Sequence, residues 1–243
     1  MFDKVISYGL FGILSNASQS ETAMVILTLL GVVLCIIAPY LLGSMNFAII
    51  ISKTKYKSDI RGYGSGNAGM TNMMRTFGKT AAALTLLGDA LKAILSGVIG
   101  YALLGIYGAY IAGLFCILGH MFPVYYKFKG GKGVVTAYAS ILMCDPVVFL
   151  ILLLIFVIIV AFTKYISLGS VMCMLLYPVI LDRMHKIVYG ATGAYVIIAI
   201  FNAALIIFMH RENIKRLLKG KENKFSFKKS VKKGEEKTED SAK

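Results

Sequence analysis

Three short stretches of this chain carry residues suited to holding phosphate. The first is Asp59-Ile-Arg-Gly-Tyr-Gly-Ser-Gly-Asn-Ala-Gly-Met-Thr-Asn-Met-Met-Arg75. Gly64, Gly66 and Gly69 let the backbone approach a ligand closely, and successive amides can turn inward as an anion nest. Ser65, Asn67, Thr71 and Asn72 add neutral donors, and Arg61 and Arg75 add fixed charge on forked donors. The pattern is neither a P-loop nor a dinucleotide fingerprint, since GxxxxGK[ST] is absent and no strand precedes it. The bland alternative is a flexible loop whose cations set membrane topology. In the second stretch Lys127, Lys129 and Lys132 alternate with Gly130, Gly131 and Gly133, following Gly119-His-Met-Phe-Pro123. Lys132, flanked by glycines, can reach a phosphate unobstructed, whereas Lys127 reads as topogenic and His120 as a structural hydrogen-bonding residue. In the third, His210 and Asn213 are three apart and share a helix face, where both could bond a substrate hydroxyl or phosphate. Arg216 and Lys219 there fit simple complementation of a helix dipole.

The elements that position these stretches must be membrane helices. The chain is 58% apolar, and its apolar residues fall in runs of about 17–25, enough to cross ~30 Å of hydrocarbon. Backbone groups in hydrocarbon must bond within their own segment, so these runs should be helical. The fold expected is all-α and polytopic, with about seven transmembrane helices: 23–51, 80–100, 107–126, 134–143, 147–162, 166–181 and 193–209. Gly43-Ser44 is placed to widen or break the first. The fourth is short for a crossing, and without it six spans remain. Asp89 and Lys92 lie three apart inside the second span. Intramembrane charge is costly and is paired or functional, and here it reads as a structural ion pair that locks helix packing. Cys35, Cys116, Cys144 and Cys173 have no metal-ligand spacing and read as packing residues, so no metal site is expected.

The formal net charge is +14, and residues 211–243 hold 12 of the 26 Lys and Arg. With seven spans, loops 52–79, 127–132 and 163–165 and the tail share one side, which is the more basic. By the positive-inside rule that side is cytoplasmic and the N-terminus is outside. The polar, glycine-rich places at 59–75, 127–133, 167–170 and 210–213 all fall there, which points to one site at the cytoplasmic face of the membrane. No nucleic-acid-binding motif is present. Residues 1–22 lack the marks of a secretory signal and read as an amphipathic surface helix. Residues 23–222 form the membrane domain, and 223–243 read as a charged disordered tail. A transporter of a phosphorylated solute would instead show midplane sites, repeats or paired broken helices. A scaffold subunit would need none of the three motifs.

Taken together, these residues resemble the bacterial acyl-phosphate-dependent glycerol-3-phosphate acyltransferases, the PlsY family. The family's first motif resembles Gly64-Ser-Gly-Asn-Ala-Gly-Met-Thr-Asn72 through Arg75. Its second is similar to Gly119-His-Met-Phe-Pro-Val124 with Phe128-Lys-Gly-Gly-Lys-Gly133. Its third is similar to Ser167-Leu-Gly-Ser170 with His210-Arg-Glu-Asn-Ile214 and Arg216-Leu-Leu218. Ala68, Met70 and Asn46 depart from the usual pattern. The resemblance implies transfer of a fatty acyl group from acyl phosphate to the 1-hydroxyl of glycerol 3-phosphate, with no cofactor and with membrane lipids around the acyl chain. It implies that Ser65, Asn67, Thr71 and the loop amides cradle the acyl phosphate. Arg75 and Lys132 would offset phosphate charge, and Ser170, His210 and Asn213 would bind or orient glycerol 3-phosphate. The general base implied is His210 or a substrate phosphate oxygen.

Overall fold

All regular structure among the described residues is helical, the outcome that hydrocarbon imposes on an apolar backbone. The computed structural model describes residues 9–10, 13–14, 20–191 and 193–225. The surface helix expected over 1–22 and the tail expected over 223–243 lie almost wholly outside them.

Helix α1 (Glu21–Ser44) opens with the Ser20 side chain accepting from Ala23 N–H and Glu21 in its first turn, both suited to a helix N-terminus. It stops directly after Gly43-Ser44. Asn46 then caps α2 (Phe47–Tyr56) by accepting from Ile49 N–H at 3.1 Å. Such a break leaves carbonyls and amides without intrahelical partners. Lys92 Nζ donates to the carbonyls of Gly43 (2.8 Å) and Met45 (2.9 Å), and Asp89 accepts from Phe47 N–H at 3.4 Å. Lys92 and Asp89 themselves meet at 2.9 Å, fully buried. The cation thus faces a helix C-terminus and the anion an N-terminus, the arrangement the dipoles favour.

Helix α3 (Met70–Phe77) leads into α4 (Lys79–Met121), which folds back on itself. Leu104 and Gly105 leave helical geometry, Gly105 at φ 61°, ψ −150°, a region open essentially to glycine alone. The two arms run antiparallel. A straight helix would separate Lys92 from His120 by about 42 Å, yet their side chains meet at 3.0 Å. Gly100 and Gly108 face one another across the arms with no room for a side chain, the close approach that small residues permit in membranes. Gly43 and Gly119 do the same between α1 and the second arm.

Next come α5 (Val134–Cys144), α6 (Pro146–Thr163), α7 (Ile166–Tyr189), α8 (Tyr195–Met209) and α9 (Arg211–Leu218). By length and apolarity four helices among the described residues can cross a membrane, or five if α8 and α9, bent by 60°, count as one span. The α4 hairpin is a single helix in that count although it holds two arms. Counting those arms separately gives six apolar passes among the described residues, with α5 apart from them. The shortfall from the expected seven lies in α5, whose 11 residues rise only about 16 Å.

The core joins both ends of the bundle through Tyr110, Ile117, Leu152, Met174, Leu181 and Ile206. Away from the candidate site, Asp145 accepts from Tyr110 and meets His185 Nε2 at 2.6 Å, while Tyr195 bonds His185 Nδ1. This cluster ties the α4 hairpin, the α5–α6 corner, α7 and α8 together. The outer face is apolar: of α6 only Val148 and Leu152 are buried, and Leu150, Leu154 and Phe162 are exposed. A patch of that extent is a liability in water and the natural surface in lipid. The four cysteines are free and lie within the packed helices.

Candidate active site

The first loop is shaped by its own side chains. Asp59 accepts from Arg61 Nε (3.0 Å) and Nη2 (2.7 Å), and the guanidinium holds this carboxyl down at about 2. Arg61 Nη1 donates to the carbonyls of Tyr126 (3.0 Å) and Lys129 (3.1 Å) in the second loop. Arg61 therefore staples the two loops together, and the reading of it as a phosphate donor is replaced. Asn72, buried, donates to the carbonyls of Ile60, Tyr63 and Asn67 and accepts from Ser65 N–H at 3.0 Å. Gly66 N–H bonds Tyr63 and Gly69 N–H bonds Asn67. The amides of Ser65, Gly66 and Gly69 are thus used within the loop itself. Ser65 is exposed, Asn67 and Thr71 are half-buried, and Thr71 and Arg75 stand one turn apart on α3. Among the described residues, no hydrogen bond joins the side chains of Ser65, Asn67 or Thr71 to the other two stretches.

The second loop doubles back onto the end of α4. Gly130 N–H bonds the Met121 carbonyl and Gly131 N–H the His120 carbonyl, both at 3.1 Å. Gly131 is pressed between the His120 ring and the Ala68 carbonyl with no space for a side chain. Gly133, at φ 78°, turns the chain into α5. Lys132 is projected from between these glycines and its Nζ bonds Asn213 Oδ1. Burial and the neighbouring cations Arg216 and Arg75 push its ammonium down to about 8, against the opposing pull of Glu222.

The third stretch bends where it must. α8 ends at Met209, and the 60° turn into α9 brings His210 and Asn213 under the second loop. The His210 ring is buried, and its Nδ1 donates to the Ile206 carbonyl at 2.8 Å, so its lone pair lies on Nε2. Burial, then the charge of Lys132, lowers its pKa to about 4. Asn213 Nδ2 donates to Glu222 at 2.8 Å, as do Arg216 Nε at 2.8 Å and Ser167 Oγ at 3.0 Å. Burial works against the Glu222 charge, but these three donors outweigh it and lower its pKa. Ser170, one turn beyond Ser167, is buried with its hydroxyl on the Ile166 carbonyl at 2.9 Å.

Lys132, His210, Asn213 and, through its charge, Arg75 are therefore brought together, with Arg216 beside them. Ser167, the first residue of the Ser167–Ser170 stretch, joins them, as does Glu222 from a position the motifs did not include. Glu222 stands alone among Lys219, Lys221 and Lys224, which reads as a solvated tail. Order was expected to end near Lys221, yet Phe225 N–H bonds the Lys164 carbonyl at 2.7 Å and holds this segment against the α6–α7 corner. The site has Lys132 close to Arg216, Arg75 and the Glu222 carboxylate, the Asn213 amide, an imidazole acceptor, and an apolar bundle at its back. Such an arrangement can hold doubly charged phosphates where water is scarce.

A helical bundle with a lipid-facing surface and a cationic cluster at one end defines an integral membrane protein built to handle phosphorylated substrates. The chain belongs to the glycerol-3-phosphate acyltransferase family: the family model of that description matches residues 33–220. A glycerol-3-phosphate acyltransferase of Finegoldia magna is 41% identical over 76% of this chain and 91% of its own length. One from Thermoanaerobacter pseudethanolicus is 42% identical over 82% and 98%. Among solved structures, the glycerol 3-phosphate form of PlsY, an integral membrane glycerol 3-phosphate acyltransferase, superposes with a TM-score of 0.73 at 38% identity, covering 80% of this chain and 96% of that one. Its lysophosphatidic acid form gives 0.70 at 36% identity.

Proposed function

We propose that this chain transfers a fatty acyl group from acyl phosphate to the 1-hydroxyl of glycerol 3-phosphate, giving 1-acylglycerol 3-phosphate and inorganic phosphate. The observation that carries the reading is the convergence of Lys132, His210, Asn213, Arg75 and Arg216 at one end of a membrane bundle. Acyl phosphate is a mixed anhydride and already activated, so no covalent acyl-enzyme is needed. The 1-hydroxyl oxygen attacks the acyl carbonyl carbon. A new C–O bond forms, the C–O bond to phosphate breaks, and the hydroxyl proton passes to a phosphate oxygen. His210 at about 4 is a weaker base than a phosphate oxygen, whose second pKa is about 6. The substrate phosphate is thus the better proton acceptor, and His210 orients the hydroxyl through Nε2.

Lys132 and Arg216 take the phosphate of glycerol 3-phosphate, with Asn213 beside them. Arg75, with the Ser65, Asn67 and Thr71 side chains, holds the acyl phosphate. Ser170 supports the glycerol end from α7, and the acyl chain lies among the helices in lipid.

The site end faces the cytoplasm of a bacterial inner membrane. Lys53, Lys55, Lys57, Lys127, Lys129, Lys164 and Lys215 gather at the site end, against Arg183 and Lys186 near the other, in line with the positive-inside rule. α1 runs toward the site, where Asn46 bonds the Ala68 carbonyl, so its start lies at the opposite end from Glu222. That parity supports seven passes, with α5 the short one and the N-terminus outside.

Purified protein in nanodiscs, given acyl phosphate and labelled glycerol 3-phosphate, should yield labelled 1-acylglycerol 3-phosphate. Uptake of the label into sealed vesicles without acyl product would instead indicate a transporter.

A further inference from the structure

The intramembrane charges reach further than the helix break they cap. Lys92 Nζ lies 3.0 Å from His120 Nδ1. An N–H cannot face an ammonium at that distance, so Nδ1 carries the lone pair and the ring proton sits on Nε2. Asp89 is also 3.4 Å from Nδ1, a contact that would favour the other tautomer, but the shorter Lys92 contact decides. Nε2 then points at Gly131, where the ring and the Ala68 carbonyl both border the space a side chain at 131 would fill. His120 also accepts from Gly131 N–H through its carbonyl. The residue after Gly131 is Lys132. Both loops of the site thus close on Gly131 beside one imidazole, itself held from inside the membrane.

We infer that Asp89, Lys92 and His120 form a positioning device that sets the height and direction of Lys132, with His120 as the positioning residue that bears on the loop. The inference rests on the reading of Lys132 as a phosphate ligand. None of the three touches the Lys132–Asn213–Glu222 cluster, so each acts only through the backbone of 130–132. A displacement of Lys132 by a fraction of its reach is enough to weaken phosphate binding while the bundle stays folded.

The test uses His120→Asn, which keeps an acceptor for Lys92 and loses the group facing Gly131, together with the isosteric Asp89→Asn. In full-length protein in nanodiscs, His120→Asn should raise the KM for glycerol 3-phosphate by about tenfold or more, the scale expected for a misplaced binding group, with kcat little changed. Hydrogen exchange in the 128–133 segment should quicken while that of α1 and α6 stays as in the parent protein. Asp89→Asn should move both readouts the same way by less. A fall in kcat at constant KM, with exchange quickened throughout, would mean a purely structural role and overturn the inference. Unchanged loop exchange would do so too, as would collapse of both variants, since the network would then be holding the whole bundle. Should the parent protein lack acyl transfer altogether, the functional reading fails, and the exchange measurement still decides whether the network governs the loop.

Discussion

Burial and two arginines hold the Lys132 ammonium near pH 8, and this single shift has two consequences of opposite sign. A dianionic ligand needs the charged form, so kcat/KM for glycerol 3-phosphate should fall about tenfold per pH unit above roughly 8, the limb that reports free-enzyme groups. Stability moves the other way. The unfolded chain keeps the proton to about 10.5 and the folded chain releases it at about 8, so between these values the unfolded state binds more protons and this group's contribution to stability rises with pH. A pH–rate profile set beside thermal melts over the same range checks both. The serines separate similarly. Ser167 donates to a carboxylate and Ser170 to its own helix. Ser167→Ala should therefore cost about tenfold in kcat/KM, the scale of a charged hydrogen bond, and Ser170→Ala markedly less, as steady-state kinetics will read. Lys132 was legible as a candidate because it stands between glycines at a span end, and His210 and Asn213 because three-residue spacing puts them on one helix face. Arg61, Asn72 and Glu222 were not, because whether a polar group serves a ligand or its own loop depends on contacts that sequence spacing does not encode.

At the scale of elements, the hairpin in α4 depends on one backbone geometry. Gly105 sits at φ 61°, ψ −150°, and Gly105→Ala should destabilise the bundle by about 1–3 kcal/mol, measurable as a loss of melting temperature in detergent. The site would suffer with it, since the second arm carries His120 and begins the second loop. Apolar run lengths made the hairpin visible as two spans, and Gly43-Ser44 marked the break between α1 and α2. The brevity of α5 was legible too, but its consequence was not. A helix covered on several sides by protein, as at Thr136, Ala137 and Ile141, does not need to match the full hydrocarbon thickness by itself.

For the whole molecule, one end of the bundle is cationic and carries the candidate site, while the other is tied by Asp145, His185 and the tyrosines. This polarity was readable from Lys and Arg in the loops, because topology follows charge counts rather than packing. In intact bacterial cells with the native cysteines replaced, a membrane-impermeant maleimide should label Tyr189→Cys directly, and Ser65→Cys only after permeabilisation. The reverse pattern would invert the orientation. The central claim is that both anions occupy the pocket around Lys132 at once and the acyl group passes directly between them. Initial rates with acyl phosphate and glycerol 3-phosphate varied together test it most directly. Intersecting double-reciprocal lines, the signature of a ternary complex, are the predicted result; parallel lines, with an acyl-enzyme trapped in the absence of glycerol 3-phosphate, would contradict it.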